Sequence, residues 1–189
     1  MSPARSKTNF IKWQMPPVAG SSDICPSPAS VVMGLQNTTP ITILLAPAGF
    51  GKTHAMVSEF ERLRKTELIV SWVSGEALAV SELTNRAAVI SISTAAKNAD
   101  VIFIDDADHI APEIISNVLK VVDYSFPPKR LVISARDVKG LGISRRIARG
   151  VTQSITADML LWTRQLIAVI WQKHLSVGQI RTVYKMTEG

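Results

Sequence analysis

The sequence predicts an α/β domain built around a mainly parallel sheet. Three observations carry that expectation. Short apolar runs alternate with longer segments of helical period from Ile41 onward, a glycine-containing loop joins the first run to an amphipathic helix, and a later run ends in paired aspartates. Residues 1–40 stand apart. Pro16-Pro17, Gly20-Ser21-Ser22 and Pro26-Ser27-Pro28 mark an irregular lead-in, with one short helix expected around Ala29–Leu35.

Strands are expected at Ile41–Ala46, Leu68–Val73, Val101–Ile104, Arg130–Ala135 and Val151–Ile155, each a short run rich in β-branched residues. Helices fill the gaps. Lys52–Arg64 sets Met56, Val57, Phe60 and Leu63 on one face, and Ser81–Lys97 reads as a less regular helix. Pro112 opens a helix to Val122, because proline at a first helical position forfeits no hydrogen bond. Ile143–Arg149 is short. The tail from Thr163 to Met186 reads as two helices broken near Ser176-Val177-Gly178, with Thr163 and Ser176 as N-caps. The expected division is a lead-in over 1–40, a core over 41–157 and a helical segment over 158–189.

Composition narrows the function classes. Of 189 residues, 47% are hydrophobic and 19% charged, which excludes a disordered chain and supplies a buried core. The 21 Lys and Arg against 15 Asp and Glu give a net charge of +6, which suits a binder of phosphates, whether of nucleotides or nucleic acid. A lone cysteine, Cys25, forms no internal disulfide, so a reducing, cytoplasmic setting is expected. The greasy stretches are broken by charge, as Arg164 breaks Met159–Trp171, and no membrane partner is expected.

The strongest motif is Ala46-Pro-Ala-Gly-Phe-Gly-Lys-Thr53, placed between an apolar strand and an amphipathic helix as a phosphate-binding loop requires. The loop Ala48, Gly49, Phe50 and Gly51 is positioned to turn N–H groups toward a polyphosphate. Lys52 reaches its outer phosphates, Thr53 offers a hydroxyl to Mg²⁺, and His54 continues the helix. Ala46 stands where the full pattern has glycine. The plainer alternative is a strand–helix turn with an incidental lysine.

Val101-Ile-Phe-Ile-Asp-Asp-Ala-Asp108 describes a buried strand presenting acids at the sheet edge where ligands bind. Asp105 is the candidate Mg²⁺ ligand and Asp106 the group that orients or deprotonates an attacking water. A helix cap is the alternative, and Asp108 and His109 read as capping or solvated residues. Arg130–Asp137 ends in Arg136 on the same edge, as a sensor of the γ-phosphate or as a partner of Asp137. Lys139, Arg145, Arg146 and Arg149 form a basic cluster: a solvated face, a phosphate or interdomain contact, or a nucleic-acid contact. It lacks interleaved aromatics. Trp72 reads as core, and Trp162 and Trp171 as packing or interface residues.

Taken in succession, Ala46–Thr53, Val70–Glu76, Ile102–Ile110, Leu131–Gly150, Thr156–Thr163 and Val183–Gly189 resemble the nucleotide-binding domain of STAND ATPases. The similarity is to the maltose-activator-like branch of LuxR-type transcriptional regulators, from about Ile41 to Gly189. The resemblance implies a three-layer P-loop NTPase with a five-stranded parallel sheet, the Arg136 strand lying between the phosphate-loop strand and the Asp105 strand. It also implies C-terminal helices that begin a truncated lid. ATP and ADP with Mg²⁺ would switch a signal-responsive regulator between monomer and oligomer, with slow hydrolysis resetting it. Lys52 and Thr53 carry over as phosphate and Mg²⁺ residues, Asp105 and Asp106 as the acidic pair, and Arg136 as the sensor. Expected partners are adenine nucleotide, the regulator's other domains or a second copy. Direct DNA binding by the chain is not expected. The other readings are a nucleotide-independent interaction module on a degenerate scaffold, and a DNA-processing ATPase of AAA type.

Overall fold

A computed structural model of the chain describes residues 28–37, 39–79, 85–161, 176–179 and 181–182. The elements run α1 Ala29–Gln36, β1 Ile41–Leu45, α2 Lys52–Arg64, β2 Val70–Ser74, α3 Gly75–Ala79, α4 Asn85–Asn98 and β3 Val101–Asp105. A single 3-10 turn, Ala107–His109, leads to α5 Pro112–Tyr124, β4 Arg130–Ala135, α6 Ser144–Ala148, β5 Thr152–Thr156 and α7 Ala157–Leu160. The strands form one parallel sheet in the order β2-β3-β4-β1-β5. The expected α/β fold is observed, with the Arg136 strand between the other two motif-bearing strands.

Alternation along the strands builds two cores. Ile41 and Ile43, Ile102 and Ile104, Leu131 and Ile133 face α4 and α5 through residues such as Ile92 and Ile115. Leu44, Val101, Phe103 and Val132 face the other way, toward α1 and α2 with Val31, Met56 and Phe60. In this second core Trp72 stacks on Phe103 at 5.7 Å, and Phe60 meets both rings edge-on at 5.4 and 5.5 Å. Trp72 is therefore core, as its sequence setting suggests. Glu59, buried on α2, takes a two-point salt bridge from Arg62, and the Arg130 guanidinium stands 4.0 Å away. Arg130 also donates to the Leu35 carbonyl, so one cation links α1, α2 and β4.

Several boundaries differ from expectation for local reasons. β2 begins at Val70 instead of Leu68, because the Ile69 N–H donates to the Asp100 carboxylate at 2.8 Å and holds that residue in a hook ahead of the ladder. It ends one residue later than expected, at Ser74, which pairs with Asp105, and β3 likewise runs one residue beyond Ile104. β5 starts at Thr152 instead of Val151, whose N–H closes the turn after α6 on the Arg146 carbonyl. α5 runs two residues past Val122, and α6 is shorter than Ile143–Arg149. α3 was not expected; the Ser74 hydroxyl accepts from the Ala77 N–H and caps it.

Cys25, Trp162, Thr163, Trp171 and most of the tail lie outside the described residues. At Ser176 the reciprocal cap is present. Its hydroxyl accepts from the Gln179 N–H, and Gln179 Oε1 accepts from the Ser176 N–H. Among the described residues no helix is long and apolar enough to cross a membrane.

Phe103 is fully buried and touches both other rings of the aromatic trio, whereas Phe126 is 97% exposed. We predict that Phe103→Ala lowers unfolding free energy by about 3–5 kcal/mol. Phe126→Ala should change it by less than about 0.5 kcal/mol. Urea denaturation of both variants checks this, and equal losses would contradict it.

Candidate functional site

The chain leaves β1 for β2 at one edge of the sheet, and leaves β4 for β5 at the other. The loops after these two neighbouring strands therefore diverge, opening a crevice at their carboxyl ends, where open α/β sheets hold ligands. The phosphate-loop motif follows β1, the acidic motif follows β3 and Arg136 follows β4. Topology thus gathers on one sheet edge residues far apart in the chain.

Gly49 and Gly51 have φ of +87° and +74°, and Gly51 is the N-cap of α2. These left-handed conformations demand glycine for backbone reasons, since a Cβ at either would meet nothing within 4 Å. Left-handed turns of this kind bring N–H groups to converge on anions, and the 13-residue α2 adds its positive end. Ala48 is exposed, whereas Phe50 is half-buried and packs against the second core, so its side chain anchors the loop. His54 is half-buried on the first turn of α2.

Lys52 is only 6% exposed. Its Nζ donates to the carbonyls of Ala46 at 2.7 Å and Pro47 at 2.8 Å, and no carboxylate stands within ion-pair distance among the described residues. A buried ammonium held by neutral carbonyls alone lacks a counter-charge, which is what an anion would supply.

Beside it, Asp105 is 2% exposed at the end of β3. The Thr53 hydroxyl donates to Oδ1 at 3.2 Å and the Ser134 hydroxyl donates to the same oxygen at 2.5 Å. Burial pushes this carboxyl above the ordinary aspartate range, the neighbouring Asp106 adds to the rise, and the two hydroxyls oppose it. Thr53 and Asp105 place two hard oxygen donors side by side, a pairing that fits Mg²⁺. Among the described residues no group of three or more His, Cys, Asp or Glu converges, so water and phosphate oxygens would complete its shell.

Asp106 adopts φ of +50°, rare for a residue with a side chain, and its N–H donates to the Ser134 hydroxyl at 2.9 Å. Arg136 is exposed, with its N–H donating to Asp108 Oδ2 at 2.8 Å; its guanidinium makes no ion pair with Asp137 or any other acid among the described residues. Asp108 therefore ties the loop after β3 to the loop after β4, where the sequence suggested only capping or solvation. His109 is exposed.

Two further residues escaped the sequence reading. Ser134 bridges the Asp105 carboxylate and the Asp106 backbone from the neighbouring strand. The only clue was a lone hydroxyl in the apolar run Arg130–Ala135. Gly75 lies so close to this turn that a Cβ there would stand 2.1 Å from the Asp106 carbonyl oxygen and 3.1 Å from that of Asp105.

No family model matches the chain, and no curated protein is similar to it. Solved structures are similar in fold. AMPPCP-bound DnaA from Aquifex aeolicus superposes with a TM-score of 0.57 at 15% identity, over 81% of this chain and 53% of that one. The replication initiator DnaA bound to AMPPCP and single-stranded DNA gives 0.58 at 15% identity, over 82% and 53%. A STAND protein with a tetratricopeptide repeat sensor from Pyrococcus horikoshii gives 0.50 at 13% identity, over 100% of this chain and 30% of that one. The fold is that of P-loop ATPases, and the chain spans about half the length of the DnaA structures.

Two predictions follow from the geometry. Gly75→Ala must displace the Asp106 turn, a backbone clash expected to cost about 1–3 kcal/mol. Thermal unfolding and the amide shifts of Asp105 and Asp106 read it, and unmoved shifts would refute the contact. For Asp105 the raised pKa means that the fold binds the proton more tightly than the unfolded chain. Stability from this group is thus greatest below the unfolded pKa and lost as pH rises through the folded one. Each unit of elevation costs the ionised fold about 1.4 kcal/mol. In chelator at neutral pH, Asp105→Asn should therefore unfold at higher temperature than wild type, with the gain vanishing in acid.

Proposed function

We propose that this domain binds ATP and ADP with Mg²⁺ and acts as a nucleotide-dependent switch with slow hydrolysis. The observation that carries the reading is the buried Lys52 ammonium, without a carboxylate partner, beside the Thr53–Asp105 pair. Lys52 serves the outer phosphates, the Gly49–Thr53 backbone cradles them, and Thr53 with Asp105 holds the cation. Mg²⁺, when bound, supplies charge neutralisation on the phosphate oxygens. Asp106 orients the attacking water and accepts its proton as oxygen bonds to the γ-phosphorus and the bond to the bridging oxygen breaks. Arg136, exposed on the adjoining strand end, reads the γ-phosphate.

The finer assignment, a switch in a signal-responsive transcriptional regulator acting in the cytoplasm, is supported by the succession of motifs from Ile41 to Gly189. The partners proposed are further domains of such a regulator or a second copy. The fold likeness to the DnaA structures favours, as a second reading, a DNA-processing ATPase of AAA type. Stimulation of hydrolysis by DNA separates the two.

The test is calorimetry and thermal shift with ATP, ADP and GTP, with and without Mg²⁺. Wild type should gain about 2.7 kcal/mol at a hundredfold excess of nucleotide over Kd. Lys52→Ala should weaken binding roughly 10- to 150-fold, the value of a hydrogen bond to a charged group. Arg136→Ala should keep ADP affinity and lose the preference for ATP. A folded wild type that binds no nucleotide at millimolar concentration would overturn the proposal.

A further inference from the structure

At the sheet edge opposite the phosphate loop, a cavity of about 640 Å³ is lined by Asp123, Gly142, Ser144, Arg145, Arg146, Arg149 and Val151. Its place follows from topology: Asp123 lies in the last turn of α5, ahead of β4, and Val151 immediately precedes β5. Arg146 is neutralised by its ion pair with Asp123. Arg145 and Arg149 are exposed, lie four residues apart across α6, and make no ion pair among the described residues. Lys120, also exposed, lies one turn before Tyr124 on α5, three residues from the cavity-lining Asp123.

In the sequence these arginines have no aromatics among them; the fold supplies them. Tyr124 and Phe126, next to Asp123 in the chain, are 87% and 97% exposed, and they are the exposed aromatics among the large hydrophobics of the described residues. At 3.8 Å per residue, the Phe126 Cα lies within about 11 Å of that of Asp123. Val151, also exposed, lines the same cavity. Aromatic rings in water carry a standing cost, and here they adjoin in the chain the Asp123 that lines the cavity with the surplus cations.

We propose that this edge binds single-stranded nucleic acid, the cations tracking phosphates and the two rings stacking on bases. Bare base faces are what the rings require, and a duplex hides them; phosphates are what Arg145, Arg149 and Lys120 require. An acidic protein surface would satisfy the cations but leave the rings without matching planes. The surface is separate from the nucleotide site and works without it.

The test is fluorescence anisotropy of the full chain with a labelled 20-mer of thymidylate across a salt series, with duplex DNA and polyglutamate as competitors. The 20-mer should bind, and both competitors should displace it poorly. The double variant Arg145→Ala/Arg149→Ala should lower the slope of log K against log salt by roughly 1.4, about 0.7 for each lost phosphate contact. Tyr124→Ala/Phe126→Ala should leave that slope unchanged and weaken binding roughly 5- to 150-fold for each lost stack. Lys52→Ala should bind as wild type does. All four positions of change on this edge are exposed, and unchanged thermal unfolding verifies the folds. Absence of binding by wild type, double variants of this edge indistinguishable from it, or equal competition by duplex or polyglutamate would each overturn the proposal.

Discussion

Asp105 puts a carboxylate, nearly sealed from water, at the end of an interior strand, and the neighbouring structure is organised around making that tolerable. An ionised group in such a place is unfavourable unless hydrogen bonds meet it. The Thr53 and Ser134 hydroxyls do so, one from the first turn of α2 and one from β4. These bonds tie the helix of the phosphate loop to the two strands beside it. The same Ser134 hydroxyl takes the Asp106 N–H and so supports the left-handed turn that Gly75 leaves room for. A polar cluster of this kind fixes geometry at a net cost in stability, as functional sites commonly do.

Much of the architecture was legible in the sequence because it rests on local periodicity. The run Ile41–Leu45, the face Met56, Val57, Phe60 and Leu63, and the helix opening at Pro112 each declare themselves within a few residues. The placement of the loop between β1 and α2 was legible too, since a loop between strand and helix is set by contiguous chain. Strand ends were less so: the hook between Ile69 and Asp100 joins residues 31 apart, and nothing local announces it. Strand order came through family resemblance, not periodicity. Ser134 was missed, and Asp108 was read only as a capping or solvated residue, for the same reason as the hook: each acts on a partner 28 or 29 residues away.

The two edges of the sheet divide the labour of charge. At the carboxyl ends, Lys52 and Asp105 are both buried, the first met by carbonyls and the second by hydroxyls. At the amino ends, cations lie in the open beside exposed rings. α5 runs from one edge to the other, with Pro112 beside the acidic loop and Tyr124 at the basic rim. The arginines read as an isolated cluster in sequence because the exposed rings lie some twenty residues earlier, at the end of α5 and just after it.

The two carbonyls that hold Lys52 have a bearing on selectivity. Any anion approaching the loop competes with bonds the ammonium already makes to Ala46 and Pro47. Two bonds to a charged donor are together worth roughly 3–6 kcal/mol in the mutational record. A weakly charged or loosely fitting anion returns less than it displaces and leaves the lysine where it is. A polyphosphate that engages the ammonium, the helix end and the loop N–H groups together returns more. Under the proposed function the loop would thus be its own competitive inhibitor, and that internal competition would set a threshold of charge density below which small anions pass unread.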